Sequence, residues 1–567
     1  MLFADLPNEI LTECFKYLDI FEIFHSFNKL NFRFQALICY YPLAVDFHDD
    51  SQSQFDNFCE IIRSNRMLQK QLRSLRLSNE NFPEIHLFLS MLSLSKFPNI
   101  QSLTLVELKQ CDRLLLPNQL PTLSPLSCIR LIKCNKSEIS QILSSIQTSH
   151  LRTLSVSELF AHDKLLCNIS TLQYLTLSTC DTEKLHHILD NALQLKYLNV
   201  DTVNRCVLSQ NTISENLVPI KQLILKKYED NLVNLESIFK RISNLNSLTI
   251  SINNINVIDA DQWQFWINYY LPELKKFRFY FHFNDQQLLN TIQEIFQKFQ
   301  SNFWTKEHQW FTEYIVSRNS ASIYSIPYFL DSFKLERIVS RYECPLIPNS
   351  NKYENVKCLE IGLSIEYTIT TGLNLSYFTN VDSLIFSATS ILILRLTMSS
   401  VDLIRIKKVI FNVQHEIRSA FLYGLFQQAS NISSLSIDIR SFTSLINTND
   451  ASRGYLKKTI KQLNFLSHHS DFTVALQSVY ERLRKFFSIS DRFNRKCTLY
   501  GFLFFLIEFL PKLTRIETPS SSCTHNFDTV GFVKLVAQEL NVLIDIDNNR
   551  GRNTQDPMIV WITRLEG

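Results

Sequence analysis

From residue 72 onward the chain repeats one pattern: an apolar residue, two variable positions, an apolar residue, one variable position, and a third apolar residue. It reads Leu72/Leu75/Leu77, Ile100/Leu103/Leu105, Leu126/Ile129/Leu131, Leu151/Leu154/Val156 and Leu172/Leu175/Leu177. It continues as Leu195/Leu198/Val200, Ile220/Leu223/Leu225, Leu245/Leu248/Ile250 and Leu274/Phe277/Phe279. A second run comprises Val356/Leu359/Ile361, Val381/Leu384/Phe386, Ile406/Val409/Phe411, Ile432/Leu435/Ile437 and Ile460/Leu463/Phe465. Starts within each run are 21 to 29 residues apart. One such match is weak evidence, because leucine is common; fourteen at this spacing are not. The alternation of the last two apolar positions predicts a short strand with one face buried. Each unit offers roughly 5–9 kcal/mol of gross apolar burial, most of it offset by the entropy of ordering the unit. A single unit cannot bury its own face, so neighbours must stack.

The intervening segments have helical spacing. Ile139, Ile142, Leu143 and Ile146 predict a helix over Glu138 to Ile146. Asp181 is placed to cap one that holds Leu185, Ile188, Leu189 and Ala192, and Asp285 precedes a stripe running from Leu288 to Phe299. Strand, turn, helix and turn in repetition predict an α/β fold: a curved solenoid with a parallel sheet inside and helices outside. Residues 280–355 interrupt the pattern with aromatics, among them Trp304, Trp310, Tyr314, Tyr324 and Tyr328. They are expected as divergent repeats, with a separate inserted unit as the alternative. A second gap, 465–513, ends in the weaker match Leu513/Ile516. Apolar segments Val542 to Ile546 and Met558 to Ile562 predict closing strands within a cap over about 519–567.

Composition narrows the function classes. Net charge is +3 and basic residues are scattered, so neither nucleic acid nor a membrane surface is expected as a partner. The opening Met1-Leu2-Phe3-Ala4-Asp5 lacks the basic run of a secretory signal, which predicts a cytoplasmic and/or nuclear protein. The 13 cysteines include no CxxC pair and are expected as reduced thiols; Cys39 and Cys59 sit on apolar faces. Only 8 glycines occur, the first at Gly362, and no two are spaced for a phosphate-binding loop. His415-Glu416 opens a zinc-protease motif that fails at Ser419. His186-His187 near Cys180 lack a fourth ligand at sensible spacing and are expected on a solvated helix face. The tryptophans, Trp263/Trp266 and Trp304/Trp310, are expected as buried packing. No cofactor, metal centre or catalytic group is therefore expected, and the chain is not read as an enzyme.

Residues 6–38 form a distinct module. Pro7 suits the first turn of a helix, with Asp5 as a cap, and Ile10, Leu11, Cys14, Phe15 and Leu18 share one face. Shorter helices are expected around Phe21 to Asn28 and Phe32 to Ile38. Some forty residues are too few to be stable without docking on something.

Two resemblances follow from these residues. Leu6-Pro7-x-Glu9-Ile10-Leu11 and Phe15-x-x-Leu18-Asp19 resemble the opening of the F-box, with Glu22-Ile23 where Asp-Leu is usual. Asn31 and Phe34 stand where that family has Cys and Trp, a departure that weakens the match over the third helix. The repeats resemble the leucine-rich repeats of F-box proteins, with Cys134 and Cys180 at the family's Asn/Cys position. The resemblance implies an F-box over 1–41 and a leucine-rich-repeat solenoid over 42–567. It also implies docking on the Skp adaptor of a cullin–RING ubiquitin ligase through Leu6, Pro7, Glu9, Ile10, Leu11, Phe15, Leu18 and Ile23. The repeats would hold a protein substrate of unknown identity. A ligase-independent interaction scaffold with a decayed F-box is the alternative.

Side chains alternate along a strand, so the position between the last two apolar residues, and the one after them, face away from the core. Through the middle units these columns hold Ser155, Thr176, Asn199, Ile224, Thr249 and Arg278, then Ser157, Ser178, Asp201, Lys226, Ser251 and Tyr280. Asn199, Asp201, Lys226, Arg278 and Tyr280 are the candidate substrate contacts, because Tyr and Arg carry interface energy more often than Ser or Thr.

Overall fold

The computed structural model of the protein describes residues 6–18, 20–27, 30–47, 52–80, 84–109, 112–146, 150–157, 169–206, 216–253, 259–284, 291–317, 320–335, 338–347, 352–362, 378–387, 401–413, 417, 419–448, 450–466, 498–518, 540, 542–547 and 558–564. Asp5, Asp285, His415, Glu416 and most of the second gap and of the C-terminal cap lie outside these residues, as does the side chain of Cys39. The chain divides into two units, Met1–Phe277 and Arg278–Gly567.

The first unit carries strands at every match of the repeated pattern, preceded by one strand, β1, that the pattern did not mark. They are β1 (Leu43–Asp46), β2 (Leu72–Ser78), β3 (Ser102–Val106), β4 (Cys128–Ile132), β5 (Thr153–Val156), β6 (Tyr174–Asp181), β7 (Tyr197–Asn204), β8 (Gln222–Tyr228) and β9 (Ser247–Ile252). Each pairs in parallel with the next. The register aligns the middle apolar residue of every unit: Leu75, Leu103, Ile129, Leu154, Leu175, Leu198, Leu223 and Leu248 form one column across the sheet. All eight are fully buried. A slip of one residue would turn that whole column to the opposite face, so the leucines specify the register as well as the core.

A second ladder locks consecutive units. The N–H just after the first apolar residue of each pattern donates to the corresponding carbonyl one unit earlier, as in Arg152 to Ser127, Gln173 to Arg152 and Lys196 to Gln173, at 2.8–2.9 Å. Asn99, Asn355, Asn380 and Asn431, each just before that apolar residue, donate their side-chain amides to Lys70, Tyr328, Glu354 and Ile404 carbonyls at 2.7–2.9 Å. Helices return the chain between strands. Lys136–Ser145 is closed by a capping box of Asn135 and Glu138, and Asp181 caps Thr182–Asn191 through Lys184 N–H at 2.8 Å.

The N-terminal module is three helices: α1 (Asn8–Phe15), α2 (Ile20–Phe27) and α3 (Phe32–Tyr40). α1 starts at Asn8, with Pro7 outside it at the cap position and not in its first turn as expected. Leu11, Phe15, Ile23, Phe34 and Ile38 form a small core, with Leu6, Leu18, Phe27, Leu37 and Tyr41 packed on it.

In the second unit, β13 (Ser332–Leu335), β15 (Cys358–Ile361), β16 (Ser383–Phe386), β17 (Lys408–Phe411), β18 (Ser434–Ile437), β19 (Gln462–Phe465) and β20 (Arg515–Thr518) are parallel neighbours. Phe333, Leu359, Leu384, Val409, Leu435, Leu463 and Ile516 are their aligned buried column. The closing strands are present as β21 (Val542–Asp547) and β22 (Met558–Arg564), and both run antiparallel.

Residues 276–342 depart from the expectation of divergent repeats. Here β10 (Lys276–Phe283), β11 (Thr312–Ser317), β12 (Ala321–Ser325) and β14 (Ile338–Tyr342) pair antiparallel in the order β10-β12-β11-β14. Only three residues separate Ser317 from Ala321, whereas a parallel pair needs a crossover of a dozen or more. The strands at the pattern matches consequently fall in two sheets, not the single one expected. The protein is a mixed α/β protein with large, mostly parallel sheets. No helix among the described residues is long and apolar enough to cross a membrane.

Candidate functional site

The eight N-terminal candidates separate by burial. Leu11, Phe15 and Ile23 are at most 2% exposed and make the core of the helical module. Leu6 and Leu18 are half-buried against it. Pro7, Glu9 and Ile10 face solvent, Ile10 being 47% exposed. Three further apolar side chains join them: Tyr17 (86%), Leu30 (60%) and Phe32 (85%). Four of the eighteen large exposed apolar residues described in the chain thus lie within its first 41 positions. Sequence reasoning passed over these three because it followed the helical face that packs inward. The usable signal was an aromatic or leucine at a helix boundary, where no inward face exists.

The departures at Asn31 and Phe34 have structural roles. Asn31 caps α3, its side chain accepting from Phe34 N–H at 3.0 Å. The Phe34 ring is 1% exposed and lies 5.4 Å from Phe27, which in turn is 5.3 Å from Phe15. The third helix is therefore capped by Asn31 and anchored in the core by Phe34. Arg33 ties the module together, donating to the Asn8 side chain at 2.8 Å and to the Leu6 carbonyl.

On the first unit's sheet, the outward columns make a polar patch. Lys226 Nζ lies 2.8 Å from Asp201 Oδ1, and Asn199 Oδ1 is buried with no hydrogen-bond partner among the described residues. Tyr174 and Tyr197 extend the same columns by one alternation step, with ring centroids 6.1 Å apart. Burial raises the Tyr197 hydroxyl above its ordinary pKa, so it stays a donor. Both tyrosines were readable by carrying the alternation two residues toward the N-terminus. Thr249 and Ser251, expected to be open, are buried.

Arg278 and Tyr280 belong to the second unit, and Asn199, Asp201 and Lys226 to the first. Tyr280 does not face an open surface: it is half-buried, its hydroxyl 3.0 Å from Ser322 Oγ, and it lines a cavity. The antiparallel pairing of β10 with β12 encloses it, which a parallel repeat would not have done.

His186 corrects another expectation. His187 is exposed, but His186 is buried at 7%. Its Nε2 lies 3.0 Å from Ser237 Oγ, and Arg241, itself 2% exposed, points Nη1 at its Nδ1 from 3.3 Å. Arg241 also pairs with Asp190 at 2.7 Å. Burial and the neighbouring guanidinium lower the His186 pKa to about 4, so the ring is neutral. Burial likewise pushes the Cys59 and Cys134 thiols up to about 12. Trp263, Trp266 and Trp304 are fully buried, and Trp310 is 7% exposed. Among the described residues no three His, Cys, Asp or Glu side chains are grouped to hold a metal ion.

Compared with known proteins, the chain matches no protein-family model and no curated protein.

Proposed function

We propose that the chain is the substrate-recognition adaptor of a Skp–cullin–F-box ubiquitin ligase, with α1–α3 as the F-box and the strand–helix units as a leucine-rich-repeat solenoid. One observation carries this reading: a helical module with a five-residue core presents Ile10, Tyr17, Leu30 and Phe32 to solvent. Such surface, on a module too small to be stable alone, is the mark of a docking element. The LPxEIL-like opening around it resembles the segment with which F-box proteins engage the Skp adaptor.

In this reading Leu11, Phe15 and Ile23 shape the module, while Pro7, Ile10 and the newly exposed residues supply contact area. The Tyr174, Tyr197, Asn199, Asp201 and Lys226 patch receives the protein substrate. No catalytic residue and no cofactor enter, because the ligase transfers ubiquitin and this chain only brings the substrate to it. The test is co-purification with the Skp adaptor. Ile10→Asp should abolish it while the repeats keep their melting temperature, since truncating a central apolar anchor typically costs more than about 2 kcal/mol. Undiminished co-purification of the folded variant would favour the ligase-independent scaffold.

A further inference from the structure

The second unit contains a half-open cavity of about 720 Å³, within the range of small-ligand sites. One wall is the antiparallel sheet. Register places Tyr280 and His282 on β10 opposite Tyr324 and Ser322 on β12, and Ser322 opposite Ile315 on β11, so these side chains share one face. Tyr328, Phe333 and Lys334 line the cavity as well.

Two features distinguish it from an accidental gap. The first is that a buried polar network on the same face of the sheet holds its wall. The Tyr324 hydroxyl is 3.1 Å from that of Tyr353, which donates to Glu313 Oε2 at 3.1 Å. Glu313 Oε1 accepts from Lys352 at 2.7 Å and from Cys344 N–H at 2.9 Å, and Lys352 also donates to the Cys344 carbonyl at 2.8 Å. Glu313 and Lys352 are each 1% exposed. These bonds join β11 and β12 to the chain at Cys344, Lys352 and Tyr353, and so tie the wall to its neighbours. The second feature is the chemistry of the lining. Tyr280, Tyr324, Tyr328 and Phe333 offer rings; Ser317, Ser320, Ser322, Asn284 and His282 offer hydrogen bonds. Among the described lining residues there is no carboxylate, and Lys334 brings positive charge, with Glu360 3.9 Å away outside the lining.

We propose that this cavity binds a ligand with a flat aromatic ring bearing an anionic group: the ring against the tyrosines, the anion toward Lys334 and the serine hydroxyls. The site is independent of whether α1–α3 dock an adaptor.

Calorimetric titration of the full chain with phenyl phosphate tests it, with inorganic phosphate, benzyl alcohol and benzylamine as comparisons. Phenyl phosphate should bind saturably and at least about tenfold more tightly than the other three, since ring and anion are recognised together. Lys334→Met should weaken it about tenfold without moving the melting temperature, because that side chain is half exposed; Tyr280→Leu should weaken it while leaving Lys334 in place. A short tyrosine-phosphorylated peptide that binds tighter than phenyl phosphate assigns the ligand to a modified protein side chain; weaker binding assigns it to a free small molecule. The proposal is overturned by benzylamine binding as tightly as phenyl phosphate, by undiminished binding in both folded variants, or by no saturable binding of phenyl phosphate at millimolar concentration.

Discussion

Strands β4–β8 and the hairpin of β11 and β12 are both made of alternating side chains, yet they are stabilised differently. In β4–β8 one face is a repeated apolar column and the other is half-buried or exposed and mostly polar. In β11 and β12 nearly every residue is buried on both faces. One of those faces holds Glu313, Ser317, Ser322 and Tyr324: Lys352 and Tyr353 satisfy Glu313, Tyr353 pairs with Tyr324, Ser320 with Ser317, and Tyr280 and His282 with Ser322. A repeated column spreads its stability over many equivalent contacts, whereas a buried network concentrates it in a few that cannot be removed singly.

That contrast sets the order of expected effects. Lys352→Met leaves Glu313 buried without its cation and should cost the second unit roughly 3–5 kcal/mol by urea denaturation. Adding Glu313→Gln should restore much of the loss, and a double variant no better than the single would mean the pair is not coupled. Leu198→Ala in the apolar column should cost about 2–4 kcal/mol, with no partner substitution able to rescue it.

A pH scan sharpens the comparison inside the first unit. The unfolded chain takes up a proton on His186 near pH 6.5, which the folded site rejects until about pH 4. Stability from this residue is therefore full above about 6.5 and falls as the pH drops toward 4, by about 2 kcal/mol between pH 7 and 4.5. His186→Gln should flatten that part of the urea-midpoint profile, and an unchanged slope would remove His186 as its source. Smallest of all, Lys226→Ala should change stability by less than about 1 kcal/mol, because its pair with Asp201 is half exposed. Its measurable effect belongs on partner binding.

The same contrast explains what could be read from the sequence. A column with one buried face repeats every 21 to 29 residues, and that periodicity disclosed β2–β9 and β15–β19 together with their register. The hairpin of β11 and β12 has no solvent-exposed face, its polar residues being buried with its apolar ones, so no alternation of buried and open positions marked it as a strand pair. The clue was the three-residue gap before Ala321, which only an antiparallel pair can bridge. At the N-terminus, the inward face of α1 was legible from Leu11 and Phe15. The outward set of Tyr17, Leu30 and Phe32 was not, because exposure depends on what fails to cover a residue. His186 escaped for the opposite reason: Arg241 and Ser237, which bury it, lie more than fifty residues away.

The central claim is that α1–α3 dock a ligase adaptor through exposed apolar residues while the repeats fold independently of that contact. Its most direct test is co-purification of the Skp adaptor with the intact chain and with the double variant Ile10→Asp and Phe32→Asp, each checked for an unchanged thermal melt. The account predicts a stoichiometric complex with the intact chain and none with the variant. Failure of the folded intact chain to bind the adaptor, or equal binding by both chains, would contradict it.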